Sequence, residues 1–77
     1  MEHLIVKAIG EFYEEEMKDV TVFINGEANG KVESVMQLEE GFVMVSVDIK
    51  GAETKEIELT GTSPNKPMEV IIKCDEV

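Results

Sequence analysis

Residues Lys31–Ile49 read KVESVMQLEEGFVMVSVDI, two runs of alternating apolar and polar residues on either side of Glu40 and Gly41. Alternation with a period of two is typical of a β-strand with one buried side. A two-residue turn at Glu40 and Gly41 would pair the two runs so that their apolar residues face each other. The sequence therefore predicts a hairpin of two strands, Lys31–Leu38 and Phe42–Ile49. Its predicted buried side consists of Val32, Met36, Leu38, Val43, Val45, Val47 and Ile49.

A further strand is expected at Thr54–Thr60, and two registers against the preceding strand compete. A two-residue turn at Gly51 and Ala52 would pair opposite charges but would place valines against glutamates. A loop one residue longer would align Val47 with Ile57. Burial of apolar pairs is worth several kcal/mol, against about 1 kcal/mol or less for an exposed charge pair. The longer loop is therefore the expected one.

The remaining runs complete an α+β prediction. Branched apolar residues predict strands at His3–Ile9, Val20–Ile24 and Met68–Cys74. Between the first two, apolar residues recur at helical spacing, with acidic residues early and a lysine late, so Glu11–Lys18 is predicted to be a short helix. The stretch GTSPNKP, residues 61–67, is predicted to be a loop. We expect an antiparallel β-meander of about six strands with one short helix after the first strand, either an open sheet or a small barrel.

Length and charge limit the functions that the chain can have. A chain of 77 residues is expected to form one domain, residues 1–77. Its net charge is −10, from 17 acidic residues and seven lysines, with no arginine. Such a field repels polyanions, so nucleic acid and anionic membranes are not expected partners. Divalent cations and basic protein surfaces are the partners that it attracts.

The single cysteine and the N-terminal sequence indicate a cytoplasmic protein. Cys74 has no second cysteine to pair with, and small secreted domains usually depend on disulfides. The apolar run LIVKAI, Leu4–Ile9, contains a lysine and is too short for a signal peptide or a membrane span. The oligomeric state is not predictable from these features.

One stretch carries a candidate metal site. In NGEANGKVE, oxygen donors lie at positions one, three, five and nine, with glycine at position six. This spacing resembles the calcium loop of EF-hand proteins, although position twelve is Met36 instead of glutamate. The resemblance implies Ca²⁺ as a cofactor, and a long turn without a ligand is the alternative. The implied ligands are Asn25, Glu27, Asn29 and Glu33.

A second acidic cluster follows from the predicted helix. Glu11, Glu15 and Asp19 would stack at successive i, i+4 positions, where like charges repel. A cation would relieve that repulsion, and so would solvent and salt. The cluster is the weaker of the two metal candidates.

A short, acidic, arginine-free β-rich chain with an early helix resembles the small uncharacterised proteins of methanogenic archaea. One family of these proteins is associated with calcium binding. The resemblance covers length, charge and layout, and it implies a calcium-binding role here.

Catalytic chemistry has little support in the residues. His3 is the single histidine, and no glycine-rich loop precedes a helix in a way that would hold phosphate. We therefore expect no enzyme. Two functions remain open: a weak divalent-cation binder, and a non-enzymatic interaction module that presents an acidic face or a strand edge to a protein partner.

Overall fold

The computed structural model describes residues 1–12 and 14–75, and it contains eight β-strands and no helix among them. The α+β prediction is therefore wrong, and the described chain is all-β. The strands are β1 (Glu2–Gly10), β2 (Glu16–Met17), β3 (Thr21–Ile24), β4 (Glu27–Lys31), β5 (Val35–Leu38), β6 (Gly41–Val47), β7 (Lys55–Leu59) and β8 (Met68–Cys74).

The first sheet is organised around β1. β8 runs parallel to β1 from the pair Leu4 and Met68 to the pair Gly10 and Cys74. The opposite side of β1 is shared by two shorter antiparallel strands, β5 along its first half and β2 near its end. The parallel pair departs from the antiparallel meander that the sequence predicted.

The second sheet has the order β4-β3-β6-β7, and all of its pairs are antiparallel. β3 and β4 form a hairpin around Asn25 and Gly26, which both have positive φ, 52° and 85°. Positive φ at both central residues is the geometry of the two-residue turn that Asn-Gly favours. Further along this hairpin the register shifts, so that Asn29 and Gly30 together lie opposite Val22.

The two sheets enclose one hydrophobic core. The strands in which buried and exposed residues alternate contribute their buried side to it. The predicted buried residues from Val32 to Val47 are confirmed, and Ile49 is partly buried. Alternation in MEVIIKC also predicts a buried side of Met68, Val70, Ile72 and Cys74. The last three are buried, and Met68 is partly buried against the core. Burial of this aliphatic surface provides the main stabilisation of the fold.

A turn and a short strand replace the predicted helix Glu11–Lys18. Gly10 donates its N–H to the Glu15 carbonyl at 3.0 Å and accepts the Glu14 N–H at 3.1 Å, so the chain reverses here. Met17 then pairs with Ala8. An eight-residue helix is too short to be stable without packing, and repulsion among its acidic residues weakens it further. Tyr13, part of the predicted helical stripe, lies outside the described residues.

The predicted hairpin of Lys31–Leu38 with Phe42–Ile49 is also wrong. β5 pairs with β1 and β6 pairs with β3, so the short connection through Glu39 and Glu40 crosses from one sheet to the other. The apolar sides of β5 and β6 still meet, but they do so across the core between facing sheets. The alternating pattern predicts which side of each strand is buried, but it does not predict which strand lies next to it in the sheet.

The register of β6 and β7 differs from both sequence alternatives. Val43 lies opposite Ile57 and Val45 lies opposite Lys55, because the connecting segment is longer than either predicted turn. That segment is held from two directions. The Asp48 N–H donates to the Thr21 carbonyl at 2.9 Å, and the Glu53 N–H donates to the Lys73 carbonyl at 3.1 Å.

Candidate interaction face

The outer side of β6 exposes large apolar side chains. In the strand GFVMVSV the valines point inward, so Phe42, Met44 and Ser46 point away from the core. Phe42 is 69% exposed and Met44 is 41% exposed. Burial of such side chains against a partner is favourable, and contiguous apolar patches on small proteins mark interaction sites.

Neighbouring strands extend this apolar surface, because residues opposite each other in a sheet share a face. Phe23 of β3 lies opposite Ser46, and Ala28 of β4 lies opposite Phe23. Phe23 is half-buried and Ala28 is exposed. We call the surface formed by Phe23, Ala28, Phe42 and Met44 the Phe42 face.

An open depression of about 300 Å³ adjoins this face and shares Phe23 and Met44 with it. Its lining consists of Phe23, Gly26, Met44, Ser46 and Thr54. A volume at the lower limit for small-molecule pockets, combined with an open mouth, suits one inserted side chain of a protein partner better than a whole ligand. The site therefore has the form of a docking surface.

Two carboxylates of β7 border the Phe42 face. Glu58 lies opposite Phe42, and Glu56 lies opposite Met44. Both are exposed, and neither forms an ion pair with any residue that the structure describes. Apolar side chains beside unpaired carboxylates form a surface that complements a segment with both apolar and basic residues.

The candidate calcium ligands are spread over a turn, a strand and a second turn. Asn25 is in the hairpin turn, and its Oδ1 accepts the Met44 N–H at 2.9 Å. Glu27 pairs with Ile24, and Asn29 is at the register shift in β4. Glu33 lies beyond β4 with φ of 64°, and its N–H donates to the Val6 carbonyl of the other sheet at 2.8 Å.

The excess length that motivated the calcium hypothesis thus has a structural explanation. The connection Asn25–Lys31 is a two-residue turn followed by a strand with one extra residue. Calcium binding at these four residues stays a prediction, but the fold no longer requires a ligand to account for the loop.

The second acidic cluster, Glu11, Glu15 and Asp19, was predicted on a helix, and the described residues there form no helix. Glu11 lies in the turn after β1, Glu15 precedes β2, and Asp19 has φ of 58° before β3. Within residues 1–12 and 14–75, no three histidine, cysteine or acidic side chains are close enough to hold a metal ion.

His3 belongs to a small polar network at the start of β1. Its main-chain N–H donates to the Thr62 Oγ1 at 2.6 Å, and the Glu2 Oε1 accepts both the Thr62 N–H and its hydroxyl. These hydrogen bonds hold the pKa of Glu2 below its ordinary value of 4.5. The network attaches the loop after β7 to β1.

No family model, curated protein or solved structure matches this chain. The resemblance to proteins of methanogenic archaea therefore stays a prediction. Among the described residues, no helix has the length and apolar character needed to cross a membrane.

Sequence reasoning missed the Phe42 face, although its signal was present. The alternation that assigned Val43, Val45 and Val47 to the core also assigns Phe42 and Met44 to the opposite side. A solvent-exposed side of a sheet usually carries polar residues, so a phenylalanine and a methionine there indicate a contact surface. Phe23 joins them only through the β3–β6 pairing, which the sequence did not reveal.

Proposed function

We propose that this protein is a non-enzymatic interaction module whose Phe42 face binds a basic, amphipathic segment of a partner protein. The observation that carries the proposal is the position of Phe42 and Met44, both exposed, directly opposite the carboxylates of Glu58 and Glu56. The partner would contribute aliphatic side chains to the apolar strands and lysine or arginine side chains to β7.

The apolar part of the Phe42 face would supply most of the binding energy. A partner side chain inserted beside Phe23 and Met44 would fill the depression and exclude water from it. Large apolar anchors in such central pockets dominate the energetics of many interfaces. The carboxylates at the border would mainly set orientation and selectivity, since exposed charge pairs contribute little net affinity.

Net charge supports the choice of a basic partner. A chain with a net charge of −10 attracts cationic segments over several ångströms and repels acidic ones, so it accelerates encounters with basic proteins. The same field disfavours nucleic acid and anionic membranes. Binding should therefore weaken as salt screens the attraction, with a Debye length of about 8 Å at physiological ionic strength.

A cytoplasmic location belongs to this proposal. Cys74 is a buried free cysteine, and burial raises the pKa of its thiol, which disfavours the reactive thiolate. Such a residue suits a reducing compartment and a core-packing role. A buried, unreactive cysteine in the core fits a protein that acts by binding instead of by catalysis.

The proposal can be tested by NMR titration of the protein, labelled with nitrogen-15, with a synthetic peptide. The probe is an amphipathic peptide with leucines at helical spacing and lysines on its opposite side. We expect shift changes concentrated at Phe23, Phe42, Met44 and the facing residues of β7. A matched peptide with glutamate in place of every lysine controls for apolar contact alone and should bind much more weakly.

Two results would contradict the proposal. One is a set of shifts spread over all acidic residues of both sheets, which would indicate unspecific charge attraction. The other is equal binding of the lysine and glutamate peptides, which would show that the carboxylates of Glu56 and Glu58 do not select a basic partner.

A further inference from the structure

The outer edge of β8 has main-chain groups without a strand partner. β8 has seven residues, is the longest strand at a sheet edge in the described chain, and pairs only with β1 there. The Cys74 carbonyl accepts the Glu11 N–H on the β1 side, whereas both main-chain groups of Lys73 are bonded on the opposite side. Because alternate residues direct these groups to the same side, Glu69 and Ile71 present N–H and C=O groups at the free edge.

Glu53 covers one end of this edge. Its N–H donates to the Lys73 carbonyl at 3.1 Å, and its Oε1 accepts the Lys73 N–H at 3.1 Å. A single residue thus provides the two hydrogen bonds that a neighbouring strand would provide. Protected edges of this kind prevent strands from pairing with other chains.

The exposed sequence of the edge is complementary to itself. In an antiparallel pair of two β8 strands centred on Ile71, each Glu69 would lie opposite Lys73 of the second copy. The inward residues would also match, with Val70 opposite Ile72. Opposite charges and apolar pairs directly across a strand pair are stabilising. A register centred on Glu69 would instead place two like charges together.

We propose that β8 is a self-association edge, at which two copies pair antiparallel about Ile71 once Glu53 releases Lys73. The pairing would join the two β1-centred sheets into one continuous sheet. The two hydrogen bonds between Glu53 and Lys73, which we call the latch, would compete with this pairing and weaken it in the wild type. This inference concerns a different sheet from the Phe42 face and does not depend on the proposed function.

The overall charge gives self-association a characteristic salt dependence. Two chains with a net charge of −10 repel each other, and salt screens this repulsion. Dimer formation should therefore strengthen as salt is added. Binding of a basic partner to the Phe42 face should weaken under the same conditions, so the two proposals can fail separately.

The test is sedimentation equilibrium of the full chain and its variants over a range of protein and salt concentrations. Glu53→Ala removes the side-chain acceptor of the latch and should tighten dimer formation on the order of tenfold, because each copy loses a competing hydrogen bond. Glu53→Gln keeps an acceptor oxygen in the same place and is the matched control, with a smaller effect expected.

A charge exchange tests the register. Lys73→Glu in the Glu53→Ala background would place glutamates opposite each other at two positions and should weaken the dimer on the order of tenfold. Adding Glu69→Lys restores opposite charges across the pair and should recover part of the affinity. Recovery is expected to be incomplete because this substitution also replaces the 3.6 Å ion pair between Lys7 and Glu69 with two neighbouring lysines. Lys73 forms no ion pair with a described residue, so its replacement leaves the known ion pairs of the monomer intact.

A direct contact measurement makes the test independent of variant folding. In a mixture of labelled and unlabelled wild-type chains at high salt, the proposal predicts intermolecular contacts between Val70 and Ile72. Monomeric behaviour of both the wild type and Glu53→Ala at every salt concentration would overturn the proposal. So would a dimer that is insensitive to Lys73→Glu or that lacks the Val70 to Ile72 contact.

Discussion

Asn25 and Met44 exchange two hydrogen bonds of 2.9 Å: the Asn25 N–H donates to the Met44 carbonyl, and the Asn25 Oδ1 accepts the Met44 N–H. The side chain of a turn residue thereby continues the hydrogen bonding between β3 and β6. This arrangement fixes the hairpin turn beside the Phe42 face and uses the oxygen that the calcium hypothesis assigned to a cation.

Variants of Asn25 separate the contributions of this residue to stability. Asn25→Gly keeps a residue that tolerates the φ of 52° but loses the acceptor, while Asn25→Ala also adds backbone strain. We expect Asn25→Ala to lower the free energy of unfolding by about 0.5–1 kcal/mol more than Asn25→Gly. Urea denaturation measures both values. Equal stability of the two variants would show that the positive φ carries no cost.

Urea denaturation can also distinguish a calcium site at Asn25–Glu33 from a turn without a ligand. If Asn25, Glu27, Asn29 and Glu33 bind calcium, calcium should stabilise the wild type more than a Glu27→Gln, Glu33→Gln double variant. Equal responses would show that the segment, with Asn25 bonded to Met44, is a turn without an ion. The comparison is made at matched ionic strength with sodium chloride, since screening alone stabilises an acidic chain. A calcium-specific stabilisation that the double variant loses would establish the four-residue cation site.

Acid should weaken the latch between Glu53 and Lys73. The Lys73 N–H, as a hydrogen-bond donor, holds the pKa of Glu53 below its ordinary value of 4.5. A carboxylate whose pKa is lowered by folding stabilises the fold above its unfolded pKa, and this stabilisation is lost as pH falls through the folded value. We therefore expect the wild type to lose more stability than Glu53→Gln on acidification below pH 4.5.

The matched control for that experiment is Glu58→Gln, because the Glu58 carboxylate accepts no hydrogen bond from a described residue. Because this variant keeps Glu53 and changes the net charge by the same amount, it should lose more stability on acidification than Glu53→Gln, as the wild type does. Identical pH profiles for Glu53→Gln and the wild type would show that the latch does not stabilise the fold.

Adjacent isoleucines of β8 test its contribution to the core. Ile72 is 0% exposed, whereas Ile71 is 39% exposed on the outer side. Ile72→Ala should lower the free energy of unfolding by about 2–5 kcal/mol, and Ile71→Ala should change it by about 0.5 kcal/mol. Thermal or urea unfolding of monomeric samples gives the comparison. A similar cost for both substitutions would contradict the burial pattern of this strand.

The sequence predicted which side of a strand is buried better than it predicted which strands pair with each other. Alternation in β6 and β8 identified the buried valines and isoleucines, because one side of each strand packs against the facing sheet. It did not identify β1 as the partner of β5, since pairing between distant segments leaves no local signal. The helix error at Glu11–Lys18 arose because a short amphipathic spacing also fits a turn followed by a strand.

For the candidate sites too, the sequence predicted local features but not which segments lie next to each other. Donor spacing from Asn25 to Glu33 suggested convergence on one ion, but spacing alone could not reveal the two-residue turn and the register shift. The Phe42 face needed two kinds of information. Alternation predicts the outward direction of Phe42, whereas its proximity to Glu58 depends on a register that neither sequence alternative contained.

The most direct test of the Phe42 face compares two exposed apolar residues on opposite sheets. Phe42 is 69% exposed in the second sheet, and Val35 is 50% exposed on β5 in the first sheet. The measurement is isothermal titration of the amphipathic lysine peptide into Phe42→Ser, Val35→Ser and the wild type. Loss of the large exposed aromatic side chain should weaken binding by about 2 kcal/mol for Phe42→Ser, with Val35→Ser close to the wild type. Equal affinities of Phe42→Ser and the wild type would contradict an interaction site at this face.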